Sequence, residues 1–225
     1  MALTADALTL VATVEDELGI TAGTETARLE RLINIASSAA ESYACRVFYR
    51  TTNISEKSTG GVGPFMILDR PPINSVTSIT YLGTALSTTS YEIHDANAGI
   101  VFAVGGSWVT STIGFSDVSG TIFTGVDRKT YTIVYDGGWY TQNQDNGTTI
   151  IRNLPWDIEY AAIAIVSYLR RSMGRDPSVT SESLLGSSIS YANPGATGAG
   201  GADWLKKAVP AAAAVLDRYK RLSVF

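Results

Sequence analysis

The hydrophobic period of the chain changes from helical to strand-like and back again, and this change constrains the fold more than any other feature. The stretch ILDRPPINSVTSITYLG, residues 67–83, follows Ala-rich helical sequence and alternates Val, Ile and Tyr with Ser and Thr. Such alternation is typical of half-buried strands, whereas apolar residues three and four apart indicate a helix. We therefore expect an antiparallel β-module placed between helical segments.

Two helices are predicted before the β-module. The first is expected over residues 4–18, because Gly19 ends its pattern, and the second over about residues 24–46. The second carries an apolar face at three- and four-residue steps. This face comprises Leu29, Leu32, Ile33, Ala36, Ala40, Tyr43 and Val47.

Two further helices are predicted after the β-module. Proline is tolerated in the first turn of a helix, so Leu154-Pro155 begins the third one. The last is expected from Asp203 to Leu222, kinked or offset at Pro210. The apolar surface of the third helix comprises Trp156, Ile158, Ala161, Ile165, Tyr168 and Leu169.

The predicted fold is therefore α+β. Two N-terminal helices, a third long helix and a C-terminal helix form a bundle, with an inserted antiparallel β-module and an extended arm. The helical core is expected to comprise residues 1–46 and 150–175, and the β-module residues 47–149. An arm or linker follows over residues 176–202, and the C-terminal helix and tail occupy residues 203–225. The arm is rich in Ser, Gly and Ala, and such a long unstructured segment is unusual inside a compact domain.

The composition excludes several classes of protein. Apolar residues make up 45% of the chain and charged residues 17%, a composition typical of a globular protein. The net charge of −4 gives no reason to expect nucleic-acid binding. The longest apolar runs fall far short of the roughly 20 residues that span a bilayer. Cys45 is the single cysteine, so no internal disulfide can form, and its Ala-rich surroundings favour a buried thiol. We expect a protein made in a reducing cytoplasm.

No catalytic, cofactor or metal site is predicted. His94 is the only histidine, and strand alternation places it on one face with Glu92 while Asp95 points away. The glycine-rich run 195–201 follows no strand and lacks the Gly-Lys-Ser/Thr ending of a phosphate loop. The aromatic residues Trp108, Trp139, Tyr140 and Trp156 have no basic groove between them, which favours packing over stacking against a base.

Four segments in fixed order resemble one family of proteins. ILDRPPINSVTSITYLG is followed by SYEIHDANAGIVFA, YTIVYDGGW and LPWDIEYAAIAIVSYLRR. This order resembles the head–tail connector (adaptor, or head completion) family of tailed bacteriophages and prophages, in the longer version with a β-module between the second and third helices. The opening segments ATVEDELGI and ETARLERLINIASSAAESYACR are similar to that family's N-terminal helix pair. The resemblance covers about residues 4–175.

The resemblance implies a structural role in a phage neck. Members form a ring, commonly of twelve subunits, under the portal vertex. The ring extends the DNA channel and provides the platform for the next neck, stopper or tail protein. The implied partners are copies of the chain, the portal and that downstream protein, while packaged DNA passes through the lumen without sequence-specific binding. The implied location is the head–tail interface of the virion, after synthesis in the host cytoplasm, with no membrane.

Two interaction surfaces are expected in such a role, the first implied by the resemblance and the second by the aromatic end of the chain. An arm after the third helix can lie across a neighbouring subunit, and the alternation in SSISY would suit an added strand. A linker without a partner is the alternative. The last helix and its aromatic end are expected to dock on the portal, unless that helix only closes its own bundle. The arm residues are Leu184, Leu185, Ile189 and Tyr191, and the portal residues are Arg218, Tyr219, Arg221, Leu222, Val224 and Phe225.

Three other functions stay open at this point. A stopper or tail-end protein would act in the same neck, but such proteins are usually built on β-barrels. A carbohydrate-binding or hydrolytic module would use Trp108, Trp139 and the Glu92–His94 pair. A host-derived oligomeric scaffold would have no phage role.

Overall fold

The computed structural model describes residues 2–60, 63–108, 112–116, 122–126, 131–172, 181–184, 187–190 and 203–221. The chain divides into two compact units. The helical unit comprises Met1–Tyr49 and Trp139–Phe225, and the β-unit comprises Arg50–Gly138. Helices and antiparallel sheets are thus both present, which confirms the predicted α+β class.

The helical unit is built around two long helices, α2 and α3, which pack against each other and against α5. Its helices are α1 Val11–Glu17, α2 Thr26–Ala44, α3 Trp156–Ser172, α4 Asp203–Ala208 and α5 Pro210–Leu216. The core lies between the apolar faces of these helices and includes the fully buried Leu29, Leu32, Ile33, Ile158, Ile165 and Leu216. Within the described residues, no helix is both long enough and apolar enough to span a membrane.

The predicted face of α2 is buried, apart from Val47, which lies beyond the helix and is half-buried. The helix ends at Ala44, and the next residue, Cys45, has a left-handed backbone conformation (φ 50°), as is common directly after a helix. This conformation turns the side chain out of the bundle, so Cys45 is exposed. The expectation of a buried thiol is therefore wrong.

The first helix is shorter than the periodicity predicts, because it begins at Val11 instead of residue 4. The preceding segment is held by α2 side chains: the Leu8 N–H donates to Ser37 Oγ at 3.0 Å, and the Thr4 N–H donates to Asn34 Oδ1 at 3.1 Å. These bonds satisfy backbone donors outside a helix. Leu8 is nevertheless fully buried, so the apolar pattern reflects burial without helix formation.

The last predicted helix is broken at Val209-Pro210. Val209 has φ −137° and ψ 69°, which lies outside the helical region, and Pro210 occupies the first turn of α5. Proline disfavours a helical conformation in the residue before it, which explains why α4 and α5 are separate. Helix α5 ends at Leu216, and residues 217–221 continue as turn and irregular backbone.

The β-unit contains nine strands among its described residues. They are β1 Thr51–Ser58, β2 Phe65–Ile67, β3 Ile73–Tyr81, β4 Thr84–Ala85, β5 Tyr91–Asp95, β6 Ile100–Ala103, β7 Thr112–Ser116, β8 Ile122–Val126 and β9 Tyr131–Gly137. All pairings between them are antiparallel, with strand orders β1-β9-β3-β4, β2-β6-β5 and β7-β8. Burial alternates along β9, and Tyr131, Ile133 and Tyr135 are the residues on its buried side, within the core of the unit.

Gly137, at the end of β9, lies against the backbone that leads into β3. A side chain at this position would collide with the carbonyl oxygen of Arg70 and would meet the Tyr135 ring at 3.0 Å. The same segment contains the cis peptide Pro71–Pro72. Glycine therefore permits a close approach of two backbones here.

The chain leaves the helical unit after Tyr49 and returns at Trp139. These two residues form a parallel β-bridge, and the Trp139 N–H donates to the Phe48 carbonyl at 2.8 Å. The two points at which residues 50–138 are inserted are thus adjacent within the helical unit.

Two short strands occur in the predicted arm. They are β10 Ser181–Leu184 and β11 Ser187–Ser190, and they pair with each other as an antiparallel hairpin. The alternation in SSISY therefore corresponds to a strand, and its partner is the preceding segment of the same chain.

Candidate subunit-interaction surfaces

Tyr219, a residue of the predicted portal surface, is packed within the helical unit. Its hydroxyl group lies 2.9 and 3.0 Å from the two carboxylate oxygens of Asp157 and donates to that carboxylate. Its ring contacts Phe48 and Trp139 edge-on, with centroids 6.3 and 6.0 Å apart. Burial raises the pKa of the Tyr219 hydroxyl, and the bond to Asp157 raises this pKa further. The side chain fixes the segment after α5 to the start of α3.

Replacing Tyr219 with phenylalanine tests this attachment. The change removes the hydroxyl but keeps the ring, so we expect a loss of about 1 kcal/mol from the free energy of unfolding, because the bond is to a charged group at a partly solvated site. Urea denaturation followed by far-ultraviolet circular dichroism measures the loss. The exposed Tyr160→Phe is the matched control and should leave the midpoint unchanged. Equal stabilities of the two variants would contradict the assignment.

The other described residues of the predicted portal surface lie at a basic end of the helical unit. Arg218 is exposed, and the Arg221 N–H donates to the Ala44 carbonyl at 2.9 Å. Arg46 stacks on Trp139 with its guanidinium 4.3 Å from the ring centre. Burial, followed by the positive charge of Arg221, lowers the pKa of Arg46 to about 10. Leu222, Val224 and Phe225 lie outside the described residues.

The predicted arm residues are described only in part. Leu184 lies in β10 opposite Ser187, and Ile189 lies in β11 opposite Glu182. Leu185 and Tyr191 lie outside the described residues. The structure thus brings Leu184 and Ile189 into one hairpin.

Helix α3 presents two large aromatic side chains to solvent, which the sequence analysis missed. Trp156 is 75% exposed and Tyr160 is 59% exposed, one turn apart on the same face. Trp156 was expected to belong to the apolar packing surface of this helix, and that expectation is wrong. The signal available in the sequence is the spacing of four between Trp156 and Tyr160, which is out of phase with the buried Ile158 and Ile165.

The exposed Trp156 is held in place by a buried ion pair. The Arg152 guanidinium stacks on the Trp156 ring, 3.4 Å from its centre, and lies 2.6 Å from a carboxylate oxygen of Glu159. The side chains of Arg152 and Glu159 are 8% and 3% exposed. A rigid aromatic group surrounded by solvent is a typical interface anchor, because little conformational freedom is lost on binding.

A groove runs along the same side of α3. Its volume is about 390 Å³. Its walls come from the end of α1, from α3 and from the link between α4 and α5. They include Glu17, Leu18, Tyr160, Ile163, Arg171 and Val209.

The β-unit has its own exposed apolar surface, on the sheet β2-β6-β5. The rings of Phe65, His94 and Phe102 form a cluster with centroids 5.4 to 6.0 Å apart, and Phe65 is 42% exposed. The opposite face carries the fully buried Met66 and Val101. Successive residues of a strand point to opposite faces of the sheet, so apolar residues at consecutive positions are the sequence signal for such a second surface.

His94 belongs to this aromatic cluster. A register shift separates Ile93 from Asp95, so the strict alternation that placed Glu92 and His94 on one face and Asp95 on the other is interrupted at His94. Among the described residues, no group of three or more His, Cys, Asp or Glu side chains could hold a metal ion.

Two of the tryptophans considered for ligand stacking are packed. Trp108 is 6% exposed and lies edge-on to Tyr131 at 5.5 Å, within the core of the β-unit. Trp139 contacts Phe48, Tyr219 and Arg46 in the helical unit. Packing was the favoured interpretation for both, and these contacts confirm it.

Comparison with solved structures finds a similar fold in chains of a phage-like particle. One chain, from the neck of native GTA particle computed with C12 symmetry, is 15% identical, with a TM-score of 0.53 over 100% of this chain and 94% of that chain. A second, from the neck of empty GTA particle computed with C6 symmetry, is 16% identical, with a TM-score of 0.53 over 100% of this chain and 96% of that chain. No protein-family model matches the chain, and no curated protein matches it. At this level of identity, the similarity shows a shared fold.

Proposed function

We propose that this protein is a structural neck protein of a phage or phage-like particle. In this role it is a head–tail adaptor that forms a ring beneath the portal, extends the DNA channel and supports the next neck or tail protein. The observation that carries the proposal is the similarity over the whole chain to chains from GTA necks computed with C12 and C6 symmetry. The order of the sequence segments that resemble the connector family supports it independently.

The surfaces of the helical unit suit a protein that is covered by partners. Trp156 and Tyr160 are exposed on one face of α3, and a basic end carries the exposed Arg218. Large exposed apolar groups beside a groove are typical of interaction sites, and charged rims add specificity. We assign a structural role, without catalysis, to these surfaces, with the segment after α5 as the portal side and the arm as an inter-subunit contact.

The decisive experiment measures mass by light scattering, first for the purified protein and then for its mixture with the portal protein encoded in the same genome. We expect the mixture to contain portal rings carrying about a dozen copies, since closed rings repeat one contact. The portal ring alone, shown to be intact in the same buffer, is the control. An absence of binding would contradict the adaptor role and favour a stopper or another later neck or tail position.

A further inference from the structure

Five basic side chains gather at one end of the helical unit, although the whole chain carries a net charge of −4. The basic end comprises Arg46, Lys206, Arg218, Lys220 and Arg221. The ammonium groups of Lys206 and Lys220 lie 6.0 and 5.0 Å from the centre of the buried Tyr43 ring. The Arg221 N–H donates to the Ala44 carbonyl, which brings this residue close to Arg46 at the end of α2. Segments that are distant in the sequence thus place their positive charges together.

The charge of the basic end is only partly balanced by neighbouring carboxylates. The carboxylates bonded to its aromatic and backbone groups are those of Glu41, Asp157 and Asp217. Each accepts a hydrogen bond from an uncharged donor, either a tyrosine hydroxyl or a backbone N–H. The exposed Lys206, Arg218 and Lys220 have no ion-pair partner within the part of the chain that the structure describes. A net positive charge therefore faces solvent here.

The helix dipole of α2 accounts for a small part of this charge. The C-terminus of a helix carries a partial negative charge, equivalent to roughly half an elementary charge, and it attracts cations within the last turn. The basic end has several positive charges more than this requires. Burial, followed by the positive charge of Arg221, lowers the pKa of Arg46, so the two guanidinium groups are close enough to repel each other. An anionic partner would relieve this repulsion.

The composition of the basic end favours a nucleic acid over a protein as that partner. Protein interfaces are usually centred on buried aromatic or aliphatic groups, and lysine is depleted from them. Among the described residues, no exposed large apolar side chain falls within 41–49 or 204–221, the segments that form the basic end. Exposed lysine and arginine without apolar neighbours suit the phosphate groups of a nucleic-acid backbone, whose binding is mainly electrostatic.

We propose that the basic end contacts the phosphate groups of duplex DNA through Lys206, Arg218 and Lys220, without reading its sequence. The inference rests on the proposed neck function, because that function places DNA in the channel of the ring, and it identifies the part of the subunit that meets this DNA. The apolar residues at positions 222–225 stay assigned to the portal, so this end would meet both the portal and the DNA. Repetition around a ring strengthens a contact that is weak in one copy.

The first test measures the affinity of the full chain for a fluorescent duplex of about 30 base pairs by anisotropy, as a function of salt concentration. Three phosphate contacts predict a slope of about −3 in a plot of log K against log salt. Lys220→Gln should weaken binding on the order of tenfold at about 25 mM salt and reduce this slope by about one. Arg31→Gln, which removes the same charge from an exposed position of α2, should change neither. Circular dichroism of each variant checks folding, and equal losses in both variants would overturn the proposal.

The second test separates DNA from an acidic protein surface. Poly-glutamate is the competing probe, because it is anionic but lacks phosphate groups and has a lower charge density than a duplex. We expect it to displace the labelled duplex only at a concentration of charge at least about tenfold higher than that of unlabelled duplex. Displacement at equal concentrations of charge would overturn the DNA assignment in favour of an acidic protein partner. Binding of neither probe would overturn the proposal altogether.

Failure of this proposal and failure of the neck role give different results. Both binding tests use the protein without the portal, and light scattering of the same preparation with the portal measures ring formation. Rings on the portal without duplex binding would overturn the DNA contact and leave the neck role standing. Duplex binding that is lost in Lys220→Gln, without portal rings, would support the contact and contradict the adaptor role. The absence of both would overturn both proposals.

Discussion

Replacing Glu159 with glutamine is expected to destabilise the helical unit by about 3 to 5 kcal/mol. The change leaves the Arg152 guanidinium buried without its counter-charge, and an uncompensated buried charge is costly. Single domains are typically stable by about 5 to 15 kcal/mol, so such a loss would unfold a substantial fraction of the molecules near physiological temperature. Thermal unfolding followed at 222 nm measures the effect, because the signal comes mainly from helices.

Two further variants make this prediction specific. Asp16→Asn removes an exposed carboxylate from α1 and should change stability by less than about 0.5 kcal/mol. The double variant Arg152→Met, Glu159→Leu replaces the whole pair with apolar groups, and such replacements are often neutral or stabilising. It should restore most of the stability. A Glu159→Gln protein as stable as Asp16→Asn would show that the pair is not buried as described.

Replacing Gly137 with alanine is expected to destabilise the β-unit by about 3 kcal/mol. The added methyl group would collide with the Arg70 carbonyl oxygen and press on the Tyr135 ring, so β9 must shift relative to the backbone that enters β3. Overpacking of this kind usually costs about 1 to 3 kcal/mol, and a backbone obstacle cannot move aside as a flexible side chain does. Amide hydrogen exchange of β3 and β9 measures the loss locally.

Gly106→Ala is the matched control for this change. Gly106 also belongs to the β-unit, and a side chain there would have no atom within 4 Å. We expect its exchange rates in β3 and β9 to equal those of the original protein. Similar exchange in both alanine variants would refute the close approach at Gly137.

The main pattern of the fold could be predicted because burial repeats with the period of the secondary structure. The spacing of Leu29, Leu32 and Ile33 correctly predicted that they lie on the buried face of α2. The alternation in residues 131–137 correctly predicted a strand. Each of these segments buries one continuous face, and such a face leaves a clear trace in the sequence.

The features that could not be predicted depend on particular long-range contacts. Residues 4–10 contain apolar side chains at helical spacing, but Ser37 and Asn34 bond to the backbone and hold it in another conformation. Trp156 is apolar and lies at the start of a helix, yet a buried arginine holds it on the outside. Neither partner can be identified from local sequence.

The candidate surfaces were predicted less completely than the fold. The sequence indicated the last helix and the arm, guided by the resemblance to connector proteins. It gave no indication of the groove, because its walls come from α1, α3 and the link between α4 and α5. A surface assembled from distant segments becomes apparent only when those segments are packed together.

The bridge between Tyr49 and Trp139 brings together the two ends of the inserted β-unit, so the helical unit constrains the insertion only at these two positions. The helical unit requires of any replacement only that its two ends lie about 5 Å apart, the spacing of paired strands. The bridge is parallel, so a tight turn cannot close it, and the shortest replacement is a crossover of about a dozen residues. A shorter or longer segment that meets these two conditions could therefore take the place of residues 50–138 without changing the path of the helical unit.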